Sequence, residues 1–485
     1  MLFTPKKFIL VLALMFFCIQ PQAIEIEKIK LPDMGDSSGT LISPAQEKEL
    51  GDAFFRSLHS RLKINQDAEV QQYIQSIGRQ LAANSDTPTN PFHFFVVLDK
   101  QINAFAGPGG YIGINSGLLI LTESESELAS VMAHEIAHIT QRHLYRAFEA
   151  ASRLSIPTAA ATLAAILIGT QSPALAQAAL IAIQAGSIQF QIDFTRDNEK
   201  EADRVGMQTL AKSNYDPRGM PTFFERLQQS SRYYGQNIPE FLRTHPVSVS
   251  RISDTRGRSN KYPYKQYPDS QSYLLTQAKL RVMTASKPKD ALSYFQSKQQ
   301  LGTEKQKAVA KYGIALVHLD NQNFSVAEKQ FQQLAGKYPN QPQYAYALAK
   351  TALEALQYDK ALKLFKTALV RFPANNAIKI EYIATLLKAK KPAQAKAILD
   401  TLDYQAKTQP LYFELLAQAY ADLKKEAESH RYIAEYYYAV GQTPFAILQI
   451  NLAKKAKNIN FYLQAILNER LAFFINEENE RKLNN

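Results

Sequence analysis

A 34-residue period runs through the C-terminal half of this chain and limits what that half can become. Ala327, Ala361 and Ala395 fall 34 apart, as do Phe331, Phe365 and Leu399, and Leu319, Leu353 and Leu387. The same step relates Tyr312 to Tyr346 and Pro339 to Pro373. Five columns in one register exclude a set of unrelated helices, because each unit repeats a motif that cannot bury its apolar face alone and must stack on its neighbours. Asp290-Ala291-Leu292 with Phe295 reads as an earlier, degenerate unit, and beyond Asp400 the helical pattern continues through Ala417, Tyr420 and Tyr436-Tyr437-Tyr438 in looser register. Residues 271–485 are therefore expected to form an α-solenoid.

Thirty-four residues is the tetratricopeptide length, two antiparallel helices crossing at a small residue such as alanine. Ahead of it, residues 256–270 turn to Tyr, Pro, Lys, Arg and Ser and read as a linker. Residues 1–23 have the form of an export signal: Lys6 and Lys7, an apolar run from Phe8 to Phe17, and Pro21-Gln22-Ala23 ending on a small residue. Cleavage after Ala23 is the first reading, and retention as an uncleaved anchor is the second. Lipidation at Cys18 is disfavoured by bulky Phe16 and Phe17 just before it.

Cys18 is the sole cysteine, so the mature chain has neither a disulfide framework nor a thiolate metal site, and any ion must sit on His, Asp or Glu. The formal charge of +12 falls to +10 once Lys6 and Lys7 leave. A basic surface suits anionic lipid or acidic protein, while an exported protein has no expected nucleic-acid partner.

Between signal and linker, residues 24–255 read as one domain, mainly α with a small sheet. Two amphipathic helices occupy about 43–85, the first opened by a Ser43/Gln46 capping box. Extended stretches follow at Phe92–Leu98, Ala104–Ala106 and Tyr111–Asn115, with a Gly107-Pro108-Gly109-Gly110 turn between the last two. The glycines miss dinucleotide-loop spacing and lead into a strand, which excludes a nucleotide cradle. A Thr122/Glu125 capping box opens a helix expected to run past Leu144. Residues 157–190, rich in Ala, Leu and Ile, break at Gly169-Thr170-Gln171-Ser172-Pro173 into pieces too short to span a bilayer, leaving a buried hairpin as the first reading and a lid or a membrane-touching surface as the others.

The chemistry lies on that helix and on one downstream. In His134-Glu135-Ile136-Ala137-His138 the histidines stand at i and i+4, on one helical face, where they can share one ion. Glu135 sits where a carboxylate can take a proton from an activated water and pass it to a leaving amine. A hydrolytic zinc keeps three protein ligands, and Glu199, in the acidic segment 196–203, is the expected third. Asp203, one turn later, is placed to accept a ring N–H from a ligand histidine. Glu201 reads as a solvated carboxylate, and His143, His59 and His93 as structural. One Zn2+ per chain is the expected cofactor.

The HEIAH helix, the Glu199–Asp203 segment, Asn103-Ala104-Phe105-Ala106 before a Pro-Gly-Gly turn, and Thr244-His245-Pro246 followed by Arg251 together resemble the HtpX-like zinc peptidases over roughly residues 45–255. With an export signal in front and repeats behind, the architecture is similar to the periplasmic β-barrel assembly-enhancing branch of that family. The resemblance implies zinc on His134, His138 and Glu199, Glu135 as general base, and His245 as an additional ligand that keeps the enzyme latent. Read from the residues, His245 has a plain alternative, a residue leading into the helix after Pro246. Arg251 is open between holding an oxyanion and pairing with a carboxylate. The segment 103–106, as an exposed edge strand beside the metal, would add an extended substrate as a further strand.

The leading functional expectation is a self-restrained endopeptidase of the periplasm with chaperone-like activity. It would act on unfolded or misassembled outer-membrane proteins and dock through its repeats onto the β-barrel assembly machinery. A repeat-based binding module with a largely latent zinc site is the alternative.

Overall fold

The computed structural model describes residues 43–144, 156, 160, 163–164, 196–234, 239–457 and 459–483. The expected export signal at 1–23 lies outside them, as does most of the 157–190 segment; its described residues Ala160, Leu163 and Ala164 are buried against Phe54, Leu58 and Phe105. No helix among the described residues is long and apolar enough to cross a membrane.

Helix α1 (Pro44–His59) opens on the expected Ser43/Gln46 box, and α2 (Ala68–Ala83) is capped by Asp67, whose carboxylate accepts from the Glu69 and Val70 amides. Three strands follow, β1 (His93–Val97), β2 (Ala104–Ala106) and β3 (Tyr111–Asn115), in spatial order β1-β3-β2. β1 runs parallel to β3 and β2 antiparallel to it, so β2 is an edge of the sheet. The turn before β3 needs glycine twice: Gly109 and Gly110 have φ +67° and +79°, and a Cβ on Gly110 would fall 1.8 Å from the Pro91 carbonyl oxygen.

The helix carrying the histidines, α4 (Glu125–Thr140), follows the short α3 (Ser116–Leu121) and is buried along nearly its whole length. Its start differs from expectation. Ser124 caps it, accepting from the Glu127 amide, while the Thr122 hydroxyl turns back to the Leu119 carbonyl. Its end differs too: the helix stops at Thr140, not past Leu144, because Arg142 takes the left-handed conformation at φ +55° and turns the chain. Further along the chain come α5 (Arg196–Lys212), α6 (Gly219–Tyr234), the single turn α7 (Glu240–Thr244) and α8 (Val249–Ser259). Gly206 lets α5 approach α4 closely, since a Cβ there would fall 3.0 Å from the Ala133 carbonyl oxygen.

The stretch 256–270 begins inside α8, and its end is fixed by the buried Glu125, which accepts from the Ser270 amide and hydroxyl. The next helix, α9 (Gln271–Met283), serves two cores. Tyr273 and Leu280 pack with the sheet and α4, while Leu275 and Ala278 pack with the first repeat helices. The junction is therefore a shared helix.

The solenoid repeats in its backbone as well as its sequence. Gln322, Leu356, Lys390 and Lys424 all take φ near +60°, each closing the turn between the two helices of a unit, and they too fall 34 apart. In the fourth unit Ser429 occupies the alanine column, buried, its hydroxyl donating to the Ala417 carbonyl. The repeats then return to the N-terminal half. Lys279 reaches Asp67 at 2.6 Å and Glu69 at 2.7 Å, Gln72 Oε1 accepts from the Ala377 amide, and Arg56 pairs with Glu477 at 2.7 Å. Between these contacts lies a cleft lined by Phe55, His59, Tyr111, Ile380, Leu411 and Tyr412.

Candidate metal centre

Two helices and one turn bring the site together. From α4 come His134, Glu135 and His138; from α5, Glu199 and Asp203; from the residue after α7, His245; from α8, Arg251. All seven are almost fully buried. His134 Nε2 and His138 Nε2 lie 3.0 Å apart, Glu199 oxygens lie 3.5 and 3.4 Å from them, and His245 Nδ1 lies 3.0 Å from Glu199 Oε1 and 3.4 Å from His134 Nε2. A tetrahedral ion bound to nitrogen and oxygen at ~2.0–2.1 Å holds its donors roughly 3.3 Å apart. These separations fit one such ion, with His245 at the fourth corner.

The electrostatics fit a cation as well. Burial disfavours a charged ring at His134, but Asp203 and Glu199 outweigh it and raise that pKa to about 9, so the site stabilises positive charge at its centre. Burial holds His138 well below the usual histidine range, leaving it neutral, the form that ligates. Burial alone would raise Glu199, yet His245, His134 and His138 keep it well below the ordinary carboxylate range. Both oxygens of Glu135 are buried without an aligned hydrogen-bond partner. Burial lifts its carboxyl above the usual range, against the pull of His245, His134 and the Ala106 amide. A buried carboxylate of raised pKa beside a donor set is placed to take up a proton.

Asp203 Oδ1 stands 3.1 Å from His134 Nδ1, an ion-pair distance rather than an aligned hydrogen bond. Arg251 faces the carboxylates: its Nε and Nη2 donate to the two oxygens of Asp203 at 2.8 and 2.7 Å, and Nη1 lies 2.7 Å from Glu199 Oε2. Of the two readings open for Arg251, the geometry is that of carboxylate pairing. Asn103, Ala104, Phe105 and Ala106 stand at the edge of the sheet beside α4, but all four are buried, backbone included, so the exposed edge strand expected of this segment is not what the fold presents.

Two residues were read differently in the sequence. His143, read as structural, stands outside the donor set but against one of its members: its Nδ1 lies 2.9 Å from Nδ1 of His138. Glu201 is not simply solvated, since its Oε2 stands 3.2 Å from His143 Nε2. A helix continuing to Leu144 would have carried His143 away, and the turn at Arg142 brings it back.

This donor set sits in a chain whose residues 68–259 match Peptidase family M48 and whose residues 312–376 and 352–419 match tetratricopeptide repeats. A Vibrio cholerae protein is 39% identical over 430 residues, 88% of each chain. The β-barrel assembly-enhancing protease of Escherichia coli K12 is 34% identical over 441 residues, 91% of this chain and 90% of its own. The chain belongs to the β-barrel assembly-enhancing protease family. It is an M48 metallopeptidase joined to a tetratricopeptide solenoid. The mitochondrial metalloendopeptidase OMA1 of Schizosaccharomyces pombe is similar over a shorter stretch, 31% identical across 182 residues, 37% of this chain and 50% of its own. The likeness that covers about nine-tenths of the chain is that to the assembly-enhancing proteases.

Proposed function

We propose that this protease is a zinc endopeptidase of the bacterial periplasm that acts on unfolded or misassembled outer-membrane β-barrel polypeptides, restrains itself through His245, and uses its repeats to hold substrate or dock on the assembly machinery. The observation that carries the reading is the four-cornered donor set of His134, His138, Glu199 and His245, with Glu135 beside it. Zinc held by the first three would supply Lewis acidity to a peptide carbonyl and to water.

The chain's own groups supply the rest. Glu135, lifted in pKa and within 3.5 Å of His245 Nε2, is poised to accept a proton from the attacking water and return it to the leaving amine. In this reading an extended substrate adds as a further strand at the edge of β2, which is buried here and must first be uncovered; such binding selects unfolded polypeptide and reads little sequence. Asp203 and Arg251 hold His134 and Glu199 in place. While His245 stays in its corner, a water cannot stand there, and its withdrawal would open the site.

That same corner supports a second reading, in which the repeats act as a chaperone-like binding module and the metal site is latent most of the time. The test is hydrolysis of a urea-unfolded outer-membrane β-barrel protein by the chain lacking residues 1–23, beside its Glu135→Gln variant. Zinc-dependent cleavage lost in the variant supports the endopeptidase; suppression of substrate aggregation by both proteins, with cleavage by neither, supports the binding module.

A further inference from the structure

We propose that His143 and Glu201 are positioning residues for His138, fixing its ring in the tautomer that presents Nε2 to the metal. The inference rests on the reading of the donor set as a zinc site. Its basis is the turn that ends α4. With Arg142 in the left-handed conformation, the chain folds back and sets the His143 ring edge-on to His138, ring centres 4.9 Å apart and planes at 75°. The two Nδ1 atoms are then 2.9 Å apart, and His143 Nε2 is 3.2 Å from Glu201 Oε2.

The protons follow. A histidine ligating through Nε2 while neutral carries its hydrogen on Nδ1. His138 therefore donates from Nδ1, and His143 must accept at its own Nδ1. A neutral His143 that accepts there carries its hydrogen on Nε2, where Glu201 accepts it. One assignment satisfies both of these contacts.

The arrangement also explains the spacing on α5. Glu199, Glu201 and Asp203 are alternate residues, and a helix cannot aim all three at one point. Glu199 joins the donor set directly and Asp203, one turn on, faces His134. Glu201 points away from that face, and the imidazole of His143 spans the gap to the second ligand. Partners of this kind set ligand orientation and basicity, and their loss typically costs about 10- to 100-fold in metal affinity.

The test is zinc affinity of the chain lacking residues 1–23, measured by competition with a chromophoric chelator, for wild type, His143→Phe and His143→Asn. Phenylalanine keeps the ring volume and removes the acceptor; asparagine gives up the ring but keeps an oxygen near the Nδ1 position. Wild type is expected to bind about one zinc, His143→Phe about 10- to 100-fold more weakly, and His143→Asn within a few-fold of wild type. In histidine labelled with nitrogen-15, zinc-loaded wild type should show His138 protonated at Nδ1 alone, and His143→Phe a mixture of tautomers. Equal affinity in all three proteins overturns the inference while leaving the zinc site standing. Equal loss in both variants, with matched drops in the melting temperature of the metal-free chain, overturns it in favour of a packing role. No zinc in wild type overturns the metal reading itself.

Discussion

Nδ1 of His245 stands 3.0 Å from Oε1 of Glu199 while its Nε2 stands 3.5 Å from Oε1 of Glu135, so one imidazole bridges the carboxylate proposed as a metal ligand and the one proposed as general base. What steadies that imidazole is the fully buried Phe241, whose ring centre lies 4.8 Å from it. Phe241→Leu should loosen His245 without touching a donor. The expected outcome is severalfold faster hydrolysis of an unfolded β-barrel protein with zinc content unchanged, read from initial rates and metal analysis. Unaltered rates would mean that Phe241 does not hold the ring.

Arg251 satisfies two buried carboxylates at once, and burial, which disfavours its charge, is outweighed by Asp203 and Glu199. Arg251→Met takes the guanidinium from both and is expected to cost about 3–5 kcal/mol of stability in the metal-free chain. Arg251→Lys keeps the charge but loses the two-pronged contact with Asp203, so its loss should be smaller. Denaturant titration of the metal-free proteins checks the order; equal stability of wild type and Arg251→Met would contradict it.

Where the halves meet, burial raises the Glu69 carboxyl to about 7, with Lys279 opposing a further rise. A carboxyl raised on folding binds its proton more tightly in the native state. Its contribution is therefore fully present below the unfolded value and is lost as pH rises through about 7. Glu69→Gln should remove that loss, and the stability difference between variant and wild type is expected to grow in the variant's favour from pH 4.5 to 7.5. A difference independent of pH would place the titration elsewhere.

The solenoid was legible because alanine at a helix crossing and aromatic residues beside it recur at a fixed step, and packing demands both. Its fourth unit was harder to see, since Ser429 replaces alanine with a residue whose hydroxyl is satisfied only by a carbonyl twelve positions back. The His134, His138 and Glu199 cluster followed from helical spacing and zinc chemistry. His143 and Glu201 did not, because their roles depend on where α4 stops. That stop is made by Arg142 in a left-handed conformation, with no glycine or asparagine to announce it. The shared helix α9 was hidden for a similar reason: one face serves the sheet and another the repeats, and composition alone cannot separate them.

Gly441 closes the far end of the repeats against α1. Its φ is +74°, and a Cβ there would come within 2.4 Å of the Arg56 carbonyl oxygen. Gly441→Ala is expected to cost about 1–3 kcal/mol through strain and clash. It should also speed proteolytic nicking of residues 443–483 while the catalytic half stays intact. Limited proteolysis followed by mass spectrometry reads this, and an unchanged digestion pattern would contradict the contact's importance.

A metal-dependent peptidase held back by its own histidine is tested by the cleavage rate per bound zinc of wild type, Glu135→Gln and His245→Ala on one unfolded β-barrel substrate. About one zinc in each is expected, with cleavage abolished in Glu135→Gln and raised at least severalfold in His245→Ala. Cleavage that persists without Glu135, or a His245→Ala protein that keeps its zinc and is no faster than wild type, would contradict it.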